Sequence, residues 1–136
     1  MELIHIENDV KLFCVTSESF PDGILRAFEA LENKLPTKEG RVFYGISQPD
    51  IKGSIVYKAA VAESFDNEGR AAGCEPFILE KGTYVSETIT GFMSDPGRIG
   101  LTFQKLLKDP RRSDTYPCIE WYINETDVVC MIQLKD

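Results

Sequence analysis

The order strand, helix, strand, strand occurs twice in this chain, and that duplication restricts the fold more than any single motif does. Residues 3–6 and 10–15 alternate apolar and polar side chains as one bent strand or two short ones around Glu7-Asn8-Asp9. Pro21 and Asp22 mark the start of a helix on which Ile24, Phe28, Leu31 and Leu35 share one face before Pro36 ends it. Strands over 41–47 and 54–62 follow, around the turn-prone segment 48–53. The second copy reads as strands over 77–80 and 83–90, a helix opened by Asp95 as cap and Pro96 in the first turn, and a hairpin of 117–123 with 128–134. Ile99, Phe103, Leu106 and Leu107 form the second helix's apolar face. Between the copies, 63–73 is polar and glycine-bearing and reads as a loop.

A duplicated βαββ unit implies an α+β fold. One antiparallel sheet carries two helices packed on one face, which leaves the other face, or a ligand cleft between the halves, free for chemistry. At 136 residues the chain fits one domain, 1–136, with halves of about 1–62 and 76–136. Strand alternation then sorts the late strand: Cys118, Glu120 and Tyr122 on one face, Ile119, Trp121 and Ile123 on the other. The aliphatic pair makes the Trp121 face the expected partner of the helices and leaves Glu120 and Tyr122 toward the cleft.

Composition excludes several classes of function. A net charge of −7 lacks the basic surface that phosphate neutralisation needs, so no direct nucleic-acid binding is expected. The N-terminus shows neither a signal peptide nor a membrane span, which points to the cytoplasm and to no membrane partner. Cys14, Cys74, Cys118 and Cys130 are scattered, with no C-x-x-C pair, and read as free thiols. A single histidine, His5, has no second ligand at metal spacing, and the glycines never form a phosphate loop. No metal and no cofactor is expected, and the chain is read as a monomer or a weak homodimer.

Glu120 is the residue that could carry chemistry, because it interrupts an otherwise apolar strand where a dry, unpaired carboxylate would be costly. With Tyr44 and Tyr57 on strands of the first half, phenols and a carboxylate converge on one cleft. A carboxylate among aromatic faces suits an organic cation. If partly desolvated, it suits a general base or acid, with Tyr122 or Tyr44 orienting substrate or water. Equally, the exposed side of an antiparallel sheet would leave Glu120 merely solvated.

Taken together, Leu12 to Val15, Phe43-Tyr44-Gly45-Ile46, Gly82-Thr83-Tyr84, Pro117-Cys118-Ile119-Glu120-Trp121-Tyr122 and the closing strand resemble the GyrI-like effector-binding domain family. That family is named for a gyrase inhibitory protein and also occurs behind the DNA-binding helices of some MerR- and AraC-type regulators. The turn Phe20-Pro21-Asp22-Gly23 departs from its usual pattern. The resemblance implies two βαββ halves with a cleft between them, and a free-standing member without a DNA-binding segment. It also implies a hydrophobic or amphipathic cationic ligand met by Glu120, with Tyr44, Tyr57, Tyr84 and Trp121 as lining aromatics. Some free-standing members hydrolyse cyclopropane-containing compounds, so the resemblance equally allows a small hydrolase with Glu120 and Tyr122 as catalytic groups. A protein-interaction inhibitor working through its acidic surface is the third reading.

Overall fold

Runs of β-branched and aromatic residues broken at Gly, Pro and Asx turns become eight strands. The computed structural model describes residues 1–135. The strands are β1 (Glu2–Ile6), β2 (Val10–Thr16), β3 (Phe43–Pro49), β4 (Ile55–Ala62), β5 (Glu75–Leu79), β6 (Gly82–Ile89), β7 (Cys118–Tyr122) and β8 (Val128–Gln133). Three helices accompany them: α1 (Ile24–Glu32), α2 (Glu68–Ala71) and α3 (Gly97–Leu106). All eight strands join one antiparallel sheet in the order β1-β6-β8-β7-β3-β4-β2-β5, which curls into a half-barrel.

Read outward from the central pair β7-β3, this order is the same in both directions, so the duplication seen in the sequence is a duplication in space. Each half, however, gives its first strand to the other. Ile4 of β1 lies opposite Tyr84 of β6, and Phe77 of β5 lies opposite Leu12 of β2. The exchange pairs the edges of β6 and β2 that would otherwise stand bare.

Both long helices pack on the same face. Ala27 and Leu31 of α1 bury Phe13, Ala59 and Val61 of β2 and β4, while Phe103 and Leu106 of α3 bury Val85, Cys130 and Ile132 of β6 and β8. Leu31 and Leu106 are fully buried, each worth roughly 1.5–3 kcal/mol of apolar transfer. The opposite face closes on itself around Leu12, Ile46, Tyr84, Ile119 and Met131. Ile119 and Trp121 therefore point into the half-barrel and not at the helices, while Cys118, Glu120 and Tyr122 lie on the helix face. This reverses the expected assignment. A curled sheet buries its inner face as fully as helices bury the outer one, so aliphatic content did not distinguish them.

Two local expectations also change. Asp95 holds the start of α3 through its carbonyl, which accepts the Arg98 N–H at 3.1 Å, and no side chain caps the helix. The connector is not only loop, because 68–71 forms α2. Its Glu68 accepts two bonds from the Arg41 guanidinium (2.8 and 3.0 Å) and more from the backbone and hydroxyl of Ser64, and both charged side chains are buried. Burial alone would raise the Glu68 carboxyl, but the Arg41 and Ser64 bonds outweigh it and hold the group below its ordinary range.

Because removing one partner leaves a buried charge alone, Glu68→Gln is expected to lose ~3–5 kcal/mol at neutral pH in urea unfolding. A carboxyl lowered in the fold contributes fully above its ordinary pKa of about 4.3 and loses that contribution as pH falls through the folded value. The gap between wild type and variant should therefore narrow in acid. A gap that widens in acid would contradict the pairing.

Candidate functional site

The helices cover β2 and β4 on one side and β6 and β8 on the other, leaving the central strands β3 and β7 as the floor of a trench. Strand register sets that floor. On the helix face Phe43 lies opposite Tyr122, Gly45 opposite Glu120, and Ser47 opposite Cys118. Glu120 is thus the centre of the floor, with Gly45 on one side and Cys130 of β8 on the other.

Gly45 makes the arrangement possible. A Cβ there would lie 2.1 Å from the Tyr57 hydroxyl oxygen and 2.6 Å from Glu120 Oε1. With no side chain on β3 and only Ala59 beyond it on β4, the Tyr57 ring lies across the strand and donates its hydroxyl to Glu120 Oε1 at 2.9 Å. The Tyr122 hydroxyl donates to the same oxygen. Phe20 stacks on Tyr57 with centroids 5.9 Å apart, and Phe28 meets the Tyr57 and Tyr122 rings edge-on at 6.3 and 5.9 Å.

The solvated alternative for Glu120 is excluded, since the residue is only 7% exposed. Burial raises its carboxyl above the ordinary range, and the Tyr122 and Tyr57 bonds recover only part of that shift. Burial, and then the Glu120 charge, push the Tyr57 and Tyr122 phenols up, so both remain donors. Both donate to Oε1; Oε2 takes no bond from either, yet it is not sealed from solvent. The group is a desolvated carboxyl with one oxygen anchored and one available.

Beside it opens a cleft of about 630 Å³, whose walls include Phe28, Phe43, Phe92, Tyr122, Leu25 and Met93. Phe92 lies in a short 3₁₀ turn before α3 and tilts onto Tyr122 at 5.4 Å. Leu25 and Met93 are 71% and 70% exposed, so the mouth is apolar and open to water. The charged residues lining the cleft are Asp22, Glu32 and Glu125, all acidic.

Of the residues singled out in the sequence, Tyr57, Glu120 and Tyr122 come together. Tyr44, Tyr84 and Trp121 do not: all three belong to the half-barrel interior, where Tyr44 lies opposite Trp121 and the Tyr84 hydroxyl donates to the Glu80 carbonyl at 2.7 Å. Strand parity separates them, since 43 and 45 face the helices and 44 does not. The aromatics that do surround the site, Phe20, Phe28, Phe43 and Phe92, were not anticipated as site residues. Gly45, an isolated glycine inside a strand, was the readable signal of a close approach. The four cysteines are free thiols, and burial pushes Cys118 to about 11 and Cys130 to about 12, so neither supplies a thiolate near Glu120. No group of three or more His, Cys, Asp or Glu side chains among the described residues could hold a metal ion.

Gly45→Ala is expected to cost ~1–3 kcal/mol through overpacking and to expel the Tyr57 hydroxyl from Glu120. Urea unfolding measures the first effect, and the ultraviolet titration of the tyrosines the second. A variant of unchanged stability and unchanged tyrosine titration would show that the glycine is dispensable.

No protein-family model matches the sequence, and no curated protein matches it. Solved structures do share the fold. An integron cassette protein, VCH_CASS2, from the mobile metagenome of Vibrio cholerae superposes with a TM-score of 0.68 at 15% identity, over 98% of this chain and 95% of that one. SAV2435 bound to tetraphenylphosphonium gives 0.66 at 10% identity, over 98% and 93%. A hydrolase from Listeria innocua gives 0.61 at 12% identity, over 98% and 90%. This chain therefore has a fold found in proteins of differing description, one of them solved with an organic cation.

Proposed function

We propose that the protein binds a small hydrophobic or amphipathic organic cation in the interhelical cleft, with Glu120 as the counter-charge. The observation that carries this reading is the buried carboxyl with one oxygen left free, set beside an aromatic cleft whose charged lining is entirely acidic. A delocalised cation is weakly hydrated, so it surrenders little on entering. It gains attraction to the ring faces of Phe28, Phe43, Phe92 and Tyr122 and restores charge balance at Glu120. The fold shared with SAV2435, solved with tetraphenylphosphonium, supports the same reading, as does the resemblance to GyrI-like effector-binding domains.

Titration calorimetry with tetraphenylphosphonium tests it. Glu120→Gln is expected to weaken binding at least ~10-fold, or about 1.4 kcal/mol, while leaving the ligand-free protein as stable or more so at neutral pH. The sign follows from the raised carboxyl. Its contribution to stability is full below the ordinary pKa and is lost as pH rises toward the folded one, so at neutral pH the charged group is a burden that the amide lacks. Equal affinity of wild type and variant would sink the charge pairing.

A second reading is favoured by the same raised carboxyl flanked by two phenol donors, the arrangement of a general base with a positioned water or electrophile. The fold is shared with a protein described as a hydrolase. Hydrolysis of a cyclopropane-bearing electrophile is then expected to fall by roughly 10²–10⁴ in Glu120→Ala. Turnover that survives the substitution would remove Glu120 from the mechanism.

A further inference from the structure

The trench does not end at Glu120. Its floor continues along β3 and β7 to Ser47 and Cys118, one pair beyond Gly45 and Glu120 on the same face. There a second cavity of about 450 Å³ opens, under the C-terminal end of α3 and beside the β3-β4 turn. Phe43 and Tyr122 line the first cavity, Ser47 and Cys118 line the second, and Glu120 stands between them. Four residue steps separate the end rows, roughly 13 Å along the strands.

The two chambers differ in chemistry. The first is aromatic and acidic. The second has an apolar base of Leu107 and Ile132 but presents a hydroxyl from Ser47, a thiol from Cys118 and a guanidinium from Arg112. Arg112 bonds Asp114 through one nitrogen at a long 3.3 Å, out of the five N–H donors that an arginine carries. Burial keeps the Cys118 thiol protonated, at about 11, so here it is a neutral donor and not a nucleophile. Asp114 also lines this chamber, but its carboxylate is engaged by Arg112 through one oxygen and by Lys135 through the other at 3.5 Å. The donors left over are the Ser47 hydroxyl, the remaining Arg112 N–H groups and the Cys118 thiol, and the group they suit is an uncharged oxygen acceptor such as an ester or an amide.

We propose that the second cavity is a subsite of the same trench, and that the ligand is an elongated amphipathic cation: its aromatic cationic head lies in the first cavity beside Glu120, and a carbonyl-bearing tail passes Glu120 to hydrogen-bond with Ser47 and Arg112. This rests on the cation-binding reading for the head; the tail rests on the second cavity alone. Along this path the tail runs beside the Tyr57 and Tyr122 hydroxyls, both of which donate to Glu120 Oε1.

The test compares three probes by titration calorimetry: tetraphenylphosphonium, a triphenylphosphonium with an alkyl chain long enough to span the trench, and the same compound with its chain ended in a methyl ester. The ester compound is expected to bind about tenfold tighter than the plain-chain compound, the gain of two ordinary hydrogen bonds. Arg112→Ala and Ser47→Val should each erase most of that advantage without changing tetraphenylphosphonium affinity. Equal binding of the two chained probes, or an ester advantage that survives both substitutions, overturns the subsite. If no phosphonium head binds, the cation reading fails by itself. The tail is then read by thermal unfolding: a rise in Tm with a long-chain methyl ester but not with the matching alkane, lost in Arg112→Ala, upholds the subsite, and no rise overturns it.

Discussion

A carboxyl group taken almost wholly out of water is costly unless its oxygens are used, and the centre of this protein is arranged around that cost. Glu120 lies on a central strand, where its neighbours on both sides are other strands. Its stabilisation must therefore come from residues that reach over the sheet. Tyr122 reaches it from two positions along the same strand. Tyr57 reaches it from two strands away, and only because β3 has a glycine where its ring must cross. The two bonds anchor Oε1 and leave Oε2 unspent. The site is thus anchored through one oxygen while the carboxyl as a whole stays largely desolvated.

The duplicated architecture explains why the vacancy lies there. Each half places its helix over its own outer strands, so the pair of strands on the symmetry axis has no helix above it. The exchange of β1 and β5 ties the halves together at the far edges, and the Arg41–Glu68 pair fastens the connector to the start of β3. The trench can therefore stay open along the axis without the halves depending on contacts across it. Burial energy is concentrated under α1 and α3 and inside the half-barrel, and the gap between the helices is left as an open cleft.

Much of this was legible in the chain. The order of elements, the helix starting after Pro21-Asp22 and the polar-to-apolar oddity of Glu120 could all be read by periodicity and cost. What failed was the choice of face. Ile119 and Trp121 look like residues for helices to cover, but a curled sheet has a second dry side, and they fill it along with Tyr44 and Tyr84. Local pattern gives which residues share a side and is silent about what each side meets. The same limit hid α2, whose four residues are held by a tertiary ion pair and not by helical periodicity.

The sequence by itself determined the duplicated strand-helix-strand-strand order, the parity that puts Glu120 with Tyr122, and the net acidic charge, because these depend on spacing and composition along the chain. Tertiary structure alone decided that Tyr57 and not Tyr44 reaches Glu120, that Phe20, Phe28, Phe43 and Phe92 enclose the site, and that cavities of different lining open at the two ends of the β3–β7 floor. Those facts depend on strand register and on which way the sheet curls. Register and curl are set by long-range pairing between residues more than sixty positions apart, which no local window of the chain contains.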